Sequence, residues 1–195
     1  MHGKEVLCAS TEFGALTPFS CPADAKTALA GAAMEGGFTL LLYLDGEHTL
    51  WADLVTAAGQ RADHRELGAL PAADLYDATL MPRTATREAV VSVLCNQAVE
   101  GGGYIGNGGV LAALRVENGR FTVARTLEND GSGADAAVLN EAGDAVLTAR
   151  RVSNAFEYWE GVSAEISSRV ELAAYDLATG HMTYSGMLNT GNAPY

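Results

Sequence analysis

Residues 109–127 read GVLAALRVENGRFTVARTL, two runs of alternating character on either side of Asn118-Gly119. Asn-Gly between such runs is the strongest short-range hairpin signal, because both residues tolerate the positive φ that a tight strand-to-strand turn demands. The same shape comes round twice more. Residues 48–67 read HTLWADLVTAAGQRADHREL and residues 170–188 read VELAAYDLATGHMTYSGML, each with a glycine at the tip and a leucine at the end. The tip glycines Gly59, Gly119 and Gly180 lie 60 and 61 residues apart, and a spacing that regular implies a repeat architecture.

A second pair of strand-like runs precedes each hairpin. DATLMPRTATREAVVSVLCN begins at Asp77 and DAAVLNEAGDAVLTARRVS at Asp135, an offset of 58, and TALAGAAMEGGFTLLLYL takes the same place in the first unit. This predicts a mainly β chain of four antiparallel strands per unit, over about 24–69, 74–128 and 134–189, within a single domain spanning 1–195. Residues 1–21, with GKEVLCAS, form an N-terminal strand segment. Two stretches also fit a helix: 22–35, Ala-rich with Pro near its start and Gly at its end, and 49–58. If both are helical the fold is α+β; a β-sandwich or barrel is the other alternative.

Four strands at a period above the ~40–45 residues of compact propeller repeats suggest propeller blades. The segments DAAVLNEAGDAVLTARRV and VELAAYDLATGHMTYSGML resemble the strand pairs of YVTN-type and lactonase-like β-propellers, in which an Asp- or Gly-containing turn precedes a strand of the form LxxYDLATGxxxxxxxL. The resemblance implies blade geometry and brings no catalytic residue with it. Closed propellers carry about 4–8 blades, whereas this chain supplies about three, which leaves two sheet edges open to pairing. The expectation is a homo-oligomer, two chains completing a six-bladed ring, or a partner subunit that supplies the missing blades. Closure of the seam by the N-terminal strand is the alternative.

Apolar residues make up 48% of 195, ample for a core. The longest apolar run, FTLLLYL, is far short of the ~20 residues a membrane helix needs. The N-terminus shows no cationic start followed by an apolar core, and the three cysteines, Cys8, Cys21 and Cys95, lack CxxC spacing. A soluble, cytoplasmic chain is the expectation, with the thiols serving as small buried apolar groups. A net charge of −12 argues against nucleic acid and against an anionic membrane surface as partners.

Blade topology gathers the B–C and D–A connections at one end, where binding loops usually reside. The long insertions Asn96–Gly108, Glu128–Ala134 and Ser153–Ser168 all fall in that set, while His48 and His181 are expected at the opposite end. The binding candidates are therefore Tyr104, Asn107, Asn154, Glu157, Tyr158, Trp159 and Glu160, aromatics for contact area and polar groups for orientation. The plainer reading has Phe156 to Glu160 plugging the core or a subunit interface. Glu100, Asn129 and Asp130 are candidate ligands of a loose Ca²⁺ or Mg²⁺ site. An EF-hand is excluded, since Leu139 stands where the bidentate Glu is required.

No cofactor is firmly implied. GGGYIG at 101–106 precedes a hairpin and not the helix that a dinucleotide site needs. GVSAE at 161–165 lacks the closing glycine of a nucleophile elbow. His2, His48, His64 and His181 are scattered, with no Ser-His-Asp or metal set, and Cys95 ends a strand where a nucleophile or a buried thiol fits. The leading expectation is a non-catalytic binding or assembly module with an acidic and aromatic face for a small molecule or protein. The competitor is a divalent-metal-dependent, lactonase-like hydrolase that activates water with Glu100, Asn129, Asp130, Asn154 and Glu157 around the ion.

Overall fold

The computed structural model describes residues 5–8, 17–20, 25–82, 87–100, 102–131, 133–159 and 162–189, with the backbone alone for 5–8, 17–20, 82, 151–168 and 189. Strands β1 (Glu5–Cys8) and β2 (Thr17–Ser20) form a separate antiparallel pair. Strands β3 (Thr27–Met34), β4 (Phe38–Leu44), β5 (Thr49–Val55) and β6 (Arg61–Ala69) make the first four-stranded sheet. The second comprises β7 (Leu75–Pro82), β8 (Glu88–Ala98), β9 (Tyr104–Glu117) and β10 (Arg120–Thr126). The third comprises β11 (Ala136–Leu139), β12 (Ala145–Trp159), β13 (Val162–Asp176) and β14 (Met182–Asn189). Each sheet is an antiparallel meander in chain order, and the described residues include no helix, hence none long and apolar enough to cross a membrane.

The sheets stack face to face. Leu40, Leu42 and Leu44 of β4, with Leu50, Ala52 and Leu54 of β5, pack into one core with Ala89, Val91 and Val93 of β8 and Val110, Ala112 and Leu114 of β9. The opposite face of the second sheet, through Val90, Leu111 and Ala113, meets Leu139, Val146, Ala173 and Tyr175 of the third. This arrangement accounts for the near-continuous apolar runs of β4 and β8, the latter broken only by Ser92 between Ala89 and Cys95: a strand buried on both faces has little polar side to show. Leu41, Tyr43 and Val55 on the far face of the first sheet are buried too, in a small cluster with Ala25 and Trp51.

Specific polar contacts fix the stacking. The Phe121 amide donates to Asp63 Oδ2 at 2.8 Å and Thr126 Oγ1 to the Leu67 carbonyl at 2.5 Å, tying β10 to β6. The Ala134 amide donates to buried Ser92 Oγ at 3.1 Å, and Arg115 reaches the Gly143 carbonyl at 2.5 Å, joining the second sheet to the third. Gly119 sits at φ +72 with the Phe38 ring so close that a Cβ would fall 2.4 Å from it, so only glycine lets that hairpin tip rest on the first sheet.

Several sequence expectations are corrected. The helical alternatives for 22–35 and 49–58 fail where the chain is described, because β3 and β5 are strands: their side chains pack at a two-residue period against β4, which outweighs the alanines' helix propensity. Two of the three long loops are mostly strand. Asn96 pairs with Gly106, Gln97 with Ile105 and Ala98 with Tyr104, leaving a short turn, and β12 and β13 stay paired from Ser153 with Ser168 out to Trp159 with Val162. Only Glu128–Ala134 carries no strand among its described residues. The N-terminal strand pairs with β2 and with none of the four-stranded sheets. His48 lies in the β4–β5 turn, which is a B–C turn, and so belongs to the same end as the long connections.

Candidate functional site

At that end the structure ties the candidates into the scaffold more than it gathers them. Asp74, on the connection into the second sheet, accepts bonds from Gln97 Nε2 at 2.8 Å and the Ala98 amide at 2.9 Å. Asn107 Nδ2 donates to Gln97 Oε1 at 3.3 Å, so Asn107 braces the β8–β9 hairpin. Tyr104 projects from that hairpin, 56% exposed, beside exposed Ile105. His48 Nδ1 lies 2.7 Å from Tyr76 Oη, and that hydroxyl also donates to the Pro71 carbonyl. Asp45 accepts from Trp51 Nε1 at 2.8 Å and from the Thr49 amide, bonds that hold its carboxyl below the usual range.

The proposed cation ligands have other occupations. Asn129 Oδ1 caps the Gly131 amide at 2.8 Å, while its Nδ2 is buried without a hydrogen-bond partner. Asp130 accepts from Arg150 Nη1 at 3.1 Å, and Arg150 also binds Glu171 through Nε at 2.9 Å. Burial would lower that guanidinium, but the bonds to Glu171 and Asp130 outweigh it and hold Arg150 above the usual arginine range. Glu100 is exposed at the β8–β9 turn. Among the described residues no three His, Cys, Asp or Glu side chains stand together as metal ligands.

The aromatic cluster lies on the arm that β12 and β13 extend beyond the rest of the third sheet. Phe156 is opposite Glu165, Glu157 opposite Ala164, Tyr158 opposite Ser163 and Trp159 opposite Val162, and Asn154 falls at a bulge between Ser153 and Ala155. Glu160 lies outside the described residues. Cys95 is fully buried in the core between the first two sheets, and burial pushes its thiol up, the opposite of what activates a nucleophile.

Sequence reading missed a polar cluster on the far face of the first sheet. Asp53 is fully buried and accepts from Arg61 Nε at 2.6 Å, with His64 Nδ1 at 2.5 Å from its other oxygen. Arg61 also donates to Tyr43 Oη at 3.2 Å. The His64 ring stacks on Trp51 with centroids 4.3 Å apart and planes 8° from parallel. A carboxylate held between a guanidinium and an imidazole locks β5 to β6, and the stack fixes the imidazole against the sheet.

The outer face of the third sheet has the opposite character. Val138, Leu147, Ala174 and Tyr184 are consecutive cross-strand partners, forming one row across all four strands. Ala136, Ala149, Leu172 and Gly186 form the next, and Arg151, Val170 and Leu188 form a third over three strands. Exposure is high for side chains of this kind: 53% for Val138, 45% for Leu147, 58% for Tyr184 and 53% for Leu188. The Tyr184 ring lies down over Gly186, since a Cβ there would fall 2.4 Å from the phenol oxygen. The result is a largely apolar plate on the last sheet of the stack, with Arg151 at its third row.

No protein-family model matches this chain, and no curated protein does. Three chains among solved structures match. One is the crystal structure of a protein from Lactobacillus plantarum, similar over 97% of this chain and 65% of its own length, at 13% identity and a TM-score of 0.27. The present chain thus spans less than two thirds of that protein's length.

Proposed function

We propose that this chain is a non-catalytic assembly module, built of propeller-like units of the YVTN and lactonase kind, that associates with a second copy of itself through the outer face of its third sheet. The observation that carries the reading is the apolar row Val138, Leu147, Ala174 and Tyr184, continuous across four strands and without a covering layer among the described residues. Within the chain, every other apolar sheet face described is buried against something. A contiguous exposed apolar patch of a few hundred Å² on a monomer is often a functional surface.

Two copies that each carry a net −12 repel one another over most of their surface, so they can meet only where charge is sparse, and the first two rows of the plate carry no charged side chain. The ten uncharged residues of the three rows cover roughly 300 Å² per copy at ordinary strand spacings, below the ~800 Å² of a standard interface. The association is therefore weak and concentration-dependent, and added salt strengthens it by screening the repulsion. Native mass spectrometry over a concentration series, without chelator, tests this. A dimer that grows with concentration and salt supports the module, whereas a monomer at every concentration refutes it.

A further inference from the structure

We infer that the β1–β2 pair caps the stack: it lies face-on over the outer face of the first sheet and shields the apolar side chains there, whether or not copies of the chain associate.

Exposure shows that a layer rests on that face. Leu41 is opposite Asp53 on it and Tyr43 opposite Trp51. Leu41 is 2% exposed, Tyr43 and Asp53 0% and Val55 4%. The second sheet lies on the other side, against Leu40, Leu42 and Leu44. The β3 neighbours are too small to enclose these side chains, since Gly31 stands opposite Leu41 and Ala28 opposite Tyr43. The outer face of the third sheet gives the measure of an open surface, where Leu147 on a central strand keeps 45% exposure. A fall from such a value to nearly zero requires another element packed on the sheet.

The path of the chain says which element. Ala25 packs against the cluster of Leu41, Tyr43 and Val55, so the segment that enters β3 reaches onto this face. Strand β2 ends at Ser20, five residues before Ala25. Five extended residues span at most about 18 Å, and a four-stranded sheet is roughly 15 Å across, so β2 is held beside the first sheet. The connection from β2 to β3 has six residues, between the five that lead from β6 to β7 and the nine that lead from β10 to β11. Each of those carries the chain from the last strand of one sheet to the next sheet of the stack. Strand β2 thus stands to the first sheet as β6 stands to the second, and β6 is bonded to the second through Asp63 and the Leu67 carbonyl. Strand β1 pairs with β2 and with none of the four-stranded sheets. A two-stranded ribbon is marginal in water until it packs on something, and the closed face of the first sheet is the surface within its reach.

The test places a nitroxide on the ribbon of the full chain and reads Trp51. Trp159→Phe leaves Trp51 as the remaining tryptophan of two. Cys21→Ser and Cys95→Ala leave Cys8 as the one thiol, and a second variant adds Cys8→Ser with Leu7→Cys. Residues 7 and 8 are adjacent on β1 and fall on opposite faces of the ribbon, so at least one label leaves the contact undisturbed. Circular dichroism verifies that both variants keep the wild-type β signature. In at least one variant the nitroxide should quench Trp51 emission at least about twofold relative to its diamagnetic analogue, equally after twentyfold dilution and no longer in urea. Equal emission with both analogues in both variants overturns the cap. Quenching that fades on dilution, or that appears in an unlabelled chain mixed with a labelled Trp51→Phe chain, puts the ribbon of another copy on the face and overturns it as well.

Discussion

Replacing Asp53 by alanine is the perturbation that most directly probes how the first sheet is held. The carboxylate is fully buried and accepts charge-assisted bonds from Arg61 at 2.6 Å and His64 at 2.5 Å. Removing one partner from a wholly buried ion pair costs about 3–5 kcal/mol, because the other charge is stranded. Here the stranded groups are not wholly buried: the Arg61 side chain is 40% exposed and that of His64 32%, so both can turn toward water. That brings the expected cost to about 2–3 kcal/mol, near the value of one hydrogen bond to a charged group. For a chain of this length it corresponds to a fall in Tm of roughly 5–10 °C. Asp53→Asn keeps an acceptor for Arg61 but turns its amide toward His64 Nδ1, and should lose about half as much. Differential scanning calorimetry of the two variants and the wild type measures all three. An Asp53→Ala protein that melts within 1 °C of wild type, or one less destabilised than Asp53→Asn, would refute the claim that this cluster locks β5 to β6.

Two further perturbations test the packing. Gly37→Ala and Gly119→Ala both force alanine to a positive φ, +77 and +72, but nothing lies within 4 Å of a Cβ at 37 whereas the Phe38 ring lies 2.4 Å from one at 119. Urea unfolding should show a loss of about 1 kcal/mol at 37, from backbone strain alone, and about 2–4 at 119, and equal losses would remove the hairpin tip from the first sheet's packing. Cys95, fully buried with its thiol pushed up by burial, should react with a thiol reagent at pH 8 on the order of 100-fold slower in the native protein than in denaturant, measured with Cys8→Ser and Cys21→Ser in place. Rapid native labelling would contradict its place between the sheets.

What could be read in the sequence was local. The hairpin tips were legible because a turn's chemistry sits in two or three residues: Gly59, Gly119 and Gly180 take φ of +77, +72 and +80, and Asn118 beside the second takes +52. The glycine-rich stretch before the second hairpin was misread as a loop because glycine also serves close backbone approach. Gly109, where that stretch joins the hairpin, is an example: a Cβ there would fall 2.2 Å from the Val93 carbonyl oxygen, a mark of tight strand pairing. The Asp53–His64 contact was hidden by register. Val55 pairs with Arg61, and an unbroken ladder would set Asp53 opposite Asp63, but a bulge between Leu54 and Val55 moves it opposite His64. One inserted residue carries His64 to the face of Asp53 and Asp63 to the face that meets Phe121, and no alternation pattern reveals it in advance.

The third sheet shows the same limit from the other direction, and there the misfit argues for function. In an outermost sheet that faces water, polar side chains point out and apolar ones in. Here much of the polarity is turned inward. Thr148 is buried, Arg150 donates to both Glu171 and Asp130 on the side of the second sheet, and the alternate positions Leu147, Ala149, Leu172 and Ala174 point away from it. The middle sheet, apolar on both faces because it is covered on both, shows what such a pattern is for. An end sheet that turns Arg150 and Glu171 to its covered side and leaves Leu147 exposed on the open one is patterned much as a middle sheet, and the layer it is patterned to receive is the one the native mass spectrometry series looks for.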